Sequence, residues 1–329
     1  MTLSTSRRGF LATLGAASLF GLLGPGWRRH AHARDAADNG IWQQIWDADQ
    51  SERGIPAILV DQRGDPEVGF VRVDEPAEVD SGHQLFAEVV IPEHKRLTYD
   101  LCRELFDNYR LNQTEAEDMT RLEARETLAL LDAITDSAPM QVACAHLADT
   151  AGLRCSRDAW QEVLFNIWFR PFDLGRNRDL TGFEHVVVGE RKGDQVSGYH
   201  FWYKYYLDDL GALTGEDAID WRGTRYDGPR RRDGALNALG RTVPEIATLA
   251  YDWDALDPET GYRALLEQNI GGFWIGCSVE GLMALGTLRF FAPGSSEAVI
   301  NGARYRIDLH RSDDGQSLRT FFPRFLGLA

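Results

Sequence analysis

The apolar spacing of this chain changes once, near Asn177, and that change limits the folds open to it. Over residues 41–170 apolar side chains recur at the spacing of about 3.6 residues that gives a helix one buried face. Tyr99 to Arg110 places Leu101, Leu105 and Phe106 on one side. Thr114-Glu115-Ala116-Glu117 reads as a capping box: the hydroxyl accepts the Glu117 N–H, the carboxylate reaches back, and a helix follows to Ile134. Ser156 is placed to cap a helix to Phe169, whose stripe of Trp160, Val163, Leu164, Ile167 and Trp168 is a core face.

Beyond Asn177, strand signals take over. Phe183 to Glu190 predicts a strand, Arg191 to Asp194 its turn, and Val196 the start of the returning strand. His200 to Leu207 fits either a continued strand or a new helix. Gly272 to Cys277 is an apolar run, after which Ser278 can cap a helix to Phe290. Asn301-Gly302 predicts a hairpin turn, Tyr305, Ile307 and Leu309 alternate after it, and Ser317 to Phe325 closes the chain. Gly215 to Asp233, with Arg222, Arg225, Arg230, Arg231 and Arg232, reads as a basic loop. Helices followed by strands indicate an α+β fold, a helical lobe over 41–180 packed on a β-rich lobe over 181–329.

The first 33 residues read as an address. Ser6-Arg7-Arg8-Gly9-Phe10-Leu11 resembles the twin-arginine export signal of bacteria, and the apolar run from Phe10 to Leu23 is too short to span a bilayer. Ala31-His32-Ala33 supplies small residues for cleavage. The expected location is the periplasm or the medium, with no stable membrane anchor after cleavage. The chain carries a net charge of −15, and loss of residues 1–33 leaves 31 basic against 50 acidic side chains. Such a balance lacks the broad basic face that duplex DNA needs, so a polyanion has to be held by a local cluster of cations. The four cysteines form no CxxC pair. Cys144 and Cys155 could be bridged in an oxidising compartment, but buried free thiols are the expectation.

His185 and His200 stand fifteen residues apart, one in the first strand of the predicted hairpin and the other just beyond the returning strand. Two imidazoles facing one cleft suit RNA transphosphorylation, in which one removes the 2′-OH proton and the other protonates the leaving 5′ oxygen. Their neighbours add a specific signal. Thr181-Gly182-Phe183-Glu184-His185-Val186-Val187-Val188-Gly189-Glu190, then Val196-Ser197-Gly198-Tyr199-His200-Phe201-Trp202, resembles the double-histidine signature of the poly(U)-specific endoribonuclease (EndoU) family. Gly272-Phe273-Trp274-Ile275-Gly276-Cys277-Ser278-Val279-Glu280 is similar to a further segment of that family, and the likeness extends over nearly the whole chain after residue 33. The resemblance implies cleavage of single-stranded RNA at uridylates, leaving 2′,3′-cyclic phosphate ends. It implies His185 as general acid and His200 as general base, with Glu184 and Glu190 orienting them or holding the fold. Some family members work with manganese, so Mn²⁺ is admitted as a cofactor, although no ligand motif calls for it.

The same resemblance exposes a gap. The family's catalytic lysine, which stabilises charge on the phosphorane, aligns with Gln268, and a hydroxyl residue four positions on aligns with Gly272. No lysine follows Lys204. Arg263 is the candidate substitute, with Arg304, Arg306 and Lys204 as weaker ones. His310 aligns loosely with a tyrosine that stacks on the base, and Ser278 with the family's hydroxyl residue ahead of the last helix. A second reading keeps the fold and both histidines but not cleavage, as an RNA- or ligand-binding module.

Overall fold

The computed structural model describes residues 35–74, 82–115, 119–173, 179–226, 246–292, 294 and 296–329. The export signal lies outside the described residues, as do Glu117 and residues 230–232. The architecture is α+β. Helix α1 (Asp35–Glu52) leads into a three-stranded sheet of β1 (Ala57–Leu59), β2 (Phe70–Val73) and β3 (Phe86–Val90). Helices α2 (Glu93–Glu104), α3 (Arg121–Ile134), α4 (Ala138–Ala151) and α5 (Arg157–Leu164) follow. The predicted stripe of Trp160, Val163, Leu164, Ile167 and Trp168 is buried throughout, although Phe165–Phe169 widens from α5 into a π-helical turn.

The capping box of α3 is not the one predicted. Thr120 accepts the Glu123 N–H at 3.2 Å and Glu123 accepts the Thr120 N–H at 2.5 Å, while Thr114 donates to Asn112 at 2.9 Å in a preceding turn. Both sites carry the T-x-x-E spacing, so the pattern alone does not choose between them. The expected free thiols at Cys144 and Cys155 are also corrected. Gly152 ends α4 in the left-handed region and turns the chain back, placing the two Cα atoms 5.8 Å apart in a disulfide. Cys102 and Cys277 are the buried free thiols.

A ribbon of β4 (Phe172–Asp173) and β5 (Asp179–Leu180) precedes the hairpin of β6 (Glu190–Lys192) and β7 (Gln195–Ser197). Helix α6 (Trp202–Asp209) resolves the open choice after His200 in favour of a helix. Strands β8 (Ile219–Tyr226), β9 (Ile246–Leu256) and β10 (Arg263–Trp274) complete a five-stranded sheet in the order β6-β7-β10-β9-β8. Strand β8 takes up part of the predicted basic loop, because Ile219 and Trp221 are buried. Helix α7 (Val279–Phe291) precedes a last sheet of β11 (Glu297–Ile300), β12 (Ala303–Arg311) and β13 (Leu318–Leu328). Asn301 and Gly302 join β11 to β12 with positive φ at both residues, as their sequence predicts.

Helix α7 is buried along almost its whole length and joins the two halves into one core. Its N-terminus is held from 229 residues away: Asp49 on α1 accepts the Ser278 N–H at 3.2 Å and also the Ser278 hydroxyl, and Ser278 in turn accepts the Gly281 N–H at 3.1 Å. The packing is therefore continuous across residue 180, and the change of element type expected there is only partial: the sheet β1–β3 lies before it, inside the stretch expected to be helical, and helices α6 and α7 lie after it.

Burial holds the Asp49 carboxyl at about 6, above its ordinary 3.8. A raised carboxyl contributes stability at pH values below 3.8 that is lost as pH rises through about 6. Asp49→Ala leaves two buried Ser278 donors without an acceptor and should cost about 1–3 kcal/mol in urea denaturation at neutral pH. Asp49→Asn keeps an acceptor, so it should cost less and flatten the decline in stability between about pH 4 and 6.

Candidate active site

Thr181 and Glu184 form the capping box that sets the first histidine. The Thr181 hydroxyl accepts the Glu184 N–H at 3.1 Å and the Glu184 carboxylate accepts the Thr181 N–H at 3.2 Å. The box opens a helical turn, and Glu184–Val188 forms a π-helical turn in place of the predicted strand. Burial of Val186, Val187 and Val188 outweighs their preference for strand. Glu184 thus serves the local fold.

The second histidine is brought alongside by backbone hydrogen bonds. Tyr199 N–H donates to His185 C=O at 2.9 Å, and His200 N–H donates to Val186 C=O at 2.6 Å. Gly198 makes this approach feasible, since a Cβ there would lie 1.8 Å from the His185 carbonyl oxygen. Gly198 and Tyr199 both have positive φ, at 74° and 68°. Tyr199 is held there by full burial and by a hydroxyl bond to Asp208.

The two rings face one cleft with centroids 6.3 Å apart and planes inclined by 58°. His185 Nδ1 lies 3.3 Å from Oε1 of Glu190, a fully buried carboxylate. His200 Nδ1 lies 3.1 Å from the Gly272 carbonyl oxygen. A carbonyl only accepts, so His200 carries its proton on Nδ1 and presents a bare Nε2. Burial, and then the neighbouring His185, depress the His200 pKa from 6.5 to about 3, so the ring is neutral at ordinary pH. Its face stacks on Phe322 at 4.8 Å.

The cleft encloses about 460 Å³ and is lined by Lys192, Gln268, Thr320 and Phe322 as well as both histidines. A more apolar recess of about 340 Å³ adjoins it beyond His200, with Thr248, Ile270, Gly272, Phe322 and Phe325 in its wall. A side chain at Gly272 would begin 3.4 Å from the Thr248 hydroxyl, so Thr248, paired with Gly272 across β9 and β10, puts a hydroxyl beside the place that Gly272 leaves bare.

Of the other residues singled out by sequence, Gln268 reaches the cleft and Gly272 enters through its carbonyl. Arg263 does not reach it. It lies five residues from Gln268 on β10, about 17 Å along the strand, and pairs with Glu216 at 3.1 Å and Asp254 at 3.3 Å. Lys204 is buried on another side, bound to Asp208 at 2.5 Å and set against the rings of Tyr199 and Trp253. Arg304, Arg306 and His310 are exposed on β12, and His310 is one strand away, opposite Thr320. The ring against the imidazole belongs to Phe322 instead. Ser278 is the buried cap of α7 and does not line the cleft. Lys192 was not anticipated. It comes to the site through pairings of Lys192 with Gln195 and of Gln195 with Glu267, which residue spacing does not disclose.

Among the described residues, no group of three or more His, Cys, Asp or Glu side chains is placed to hold a metal ion. The cleft offers two imidazoles and no carboxylate in its lining, so these residues do not fit a Mn²⁺ site and no step is derived through one.

A family model described as Endoribonuclease XendoU matches residues 39–323. Uridylate-specific endoribonuclease C of Danio rerio is 29% identical over 234 residues, covering 70% of this chain and 68% of that protein. Poly(U)-specific endoribonuclease of Xenopus tropicalis is 26% identical over 294 residues, covering 87% and 92%. The solved structure of XendoU, described as a splicing independent snoRNA processing endoribonuclease, superposes with a TM-score of 0.64 at 24% identity over 88% of this chain and 97% of its own, which shows a shared fold. With the family model spanning most of its length, this chain belongs to the XendoU endoribonuclease family.

Proposed function

We propose that this protein is an exported endoribonuclease that cleaves single-stranded RNA at uridylates by acid–base transphosphorylation. The observation that carries the reading is the pair of imidazoles in one cleft, each with Nδ1 engaged behind it and Nε2 left for substrate. His200 Nε2 takes the 2′-OH proton as the 2′ oxygen bonds to phosphorus. The bond from phosphorus to the 5′ oxygen breaks, and His185 gives that oxygen a proton. The products are a 2′,3′-cyclic phosphate and a 5′-OH. The Glu190 carboxylate offsets the charge of an imidazolium at His185.

The relatives named for uridylate and poly(U) cleavage support the substrate class. The apolar recess beside His200 suits a base, and the Thr248 hydroxyl is its reading group. The twin-arginine pattern supports export, and the Cys144–Cys155 disulfide fits an oxidising destination.

The purified protein, given short uridine-containing RNA with and without Mn²⁺, should yield cyclic-phosphate ends; His185→Ala and His200→Ala should each lower the rate at least about a hundredfold. Because His200 stays neutral until about pH 3, the acid limb of kcat/KM should fall well below pH 6.5. An acid limb at 6.5 would remove His200 as the buried base. Thr248→Val should reduce the preference for uridine over cytidine about fivefold, the worth of one hydrogen bond. Replacing Arg7 and Arg8 with lysine should leave the precursor in the cytoplasm, as read by cell fractionation.

A further inference from the structure

The phosphorane formed between the two histidines carries negative charge on its non-bridging oxygens, and Gln268 can meet it only as a neutral donor. A cation aimed at that charge normally supplies a large part of the acceleration. None of the cations considered from sequence lines the cleft: Arg263 is tied to Glu216 and Asp254, Lys204 to Asp208, Arg306 to Asp308, and Arg304 is exposed on β12. Arg324 borders the adjoining recess, where it pairs with Asp308. Arg222 reaches the Gln268 carbonyl at 3.4 Å but is paired with Asp252 at 3.4 Å and stays outside the cleft.

Lys192 differs on both counts. Among the described residues it is the cation that lines the same cleft as His185, His200 and Gln268, and no carboxylate there pairs with it. It ends β6 at the exposed tip of the hairpin, opposite Gln195, which is itself in register with Glu267 beside Gln268. With strands about 4.8 Å apart, two strand spacings separate Lys192 from β10 across β7, a distance along the cleft that the four-carbon lysine stem and a bound phosphate can span together.

We propose that Lys192 is a catalytic residue of this protein, its ammonium donating to a non-bridging oxygen of the phosphorane from the β6–β7 hairpin, two strands from Gln268 in the same sheet. The proposal rests on the endoribonuclease reading above. The ammonium keeps its proton throughout: proton transfer stays with the two histidines, and Lys192 acts by charge and hydrogen bonding. Its location differs from that of the lysine expected by resemblance, since the charge enters from the β6–β7 hairpin while β10 carries an amide.

Lys192→Met keeps the stem and removes the charge at an exposed position. It should lower kcat about a hundredfold while KM moves less than about threefold, since the contact strengthens as charge develops. Lys192→Arg should retain most of the rate. Adding Gln268→Lys to the Lys192→Met variant should restore much of the loss by returning the charge to the same cleft from β10. If Lys192→Met keeps its kcat while His185→Ala and His200→Ala abolish cleavage, the role of Lys192 is overturned and the endoribonuclease reading stands. A rise in KM alone would also overturn it, leaving Lys192 as a binding contact. If the wild type cleaves no RNA but Gln268→Lys does, both readings fail, and the protein is a binding module lacking only the charge.

Discussion

Two peptide hydrogen bonds, from Tyr199 to the His185 carbonyl and from His200 to the Val186 carbonyl, are the constraint on which the site depends. They fix two short segments of opposite character, a helical turn and an extended arm, at a separation that no side chain between them could set. Everything nearby serves this approach. Gly198 is there because any larger residue would collide with the carbonyl, and the left-handed backbone of Tyr199 is held by a buried ring and its bond to Asp208. The imidazoles are then held from behind, one by a buried carboxylate and one by a peptide oxygen.

The rest of the fold supplies rigidity to that arrangement. Helix α7 fills the centre, and Asp49 on the first helix ties down its N-terminus. The cleft lies where two independently built sheets meet: the hairpin β6–β7 and strand β10 on one side, β13 on the other. The recess beside it arises where the register between β9 and β10 shifts, between Gln268 and Gly271. Such a bulge re-aims the strand, so Gln268 and Gly272 serve the site with different atoms, one an amide side chain and the other a backbone carbonyl.

Much of this was legible in the sequence, for reasons that are local. Helical spacing located the buried stripe around Trp160, the Ser278 cap located α7, and Asn301-Gly302 located its hairpin. The fold class followed from element order, and the two histidines from the paired motif. Where reading failed, a choice depended on tertiary context. The valines after His185 suggested a strand, although the Thr181 and Glu184 capping box beside them was the readable sign of a turn. Two equal T-x-x-E patterns competed, and only packing selected Thr120. Arg263 and His310 were chosen by linear alignment, which carries no information about bulges or about which strand borders the cleft. Phe322 was missed because its proximity to the histidines comes from packing between segments distant in the chain, and Lys192 because a cation was sought by alignment around β10 and not in the turn between the two histidines.

The two histidines are anchored by chemically different means, and this bears on how the protein can vary. Glu190 can be lost by a single codon change, and with it the group that positions His185. The anchor of His200 is a main-chain oxygen, which belongs to whatever residue occupies position 272. No substitution deletes it. The tautomer of His200 therefore answers to the path of the β10 backbone more than to the identity of residue 272. Side chains around the recess are in this sense free to drift toward other bases while the proton acceptor keeps its orientation.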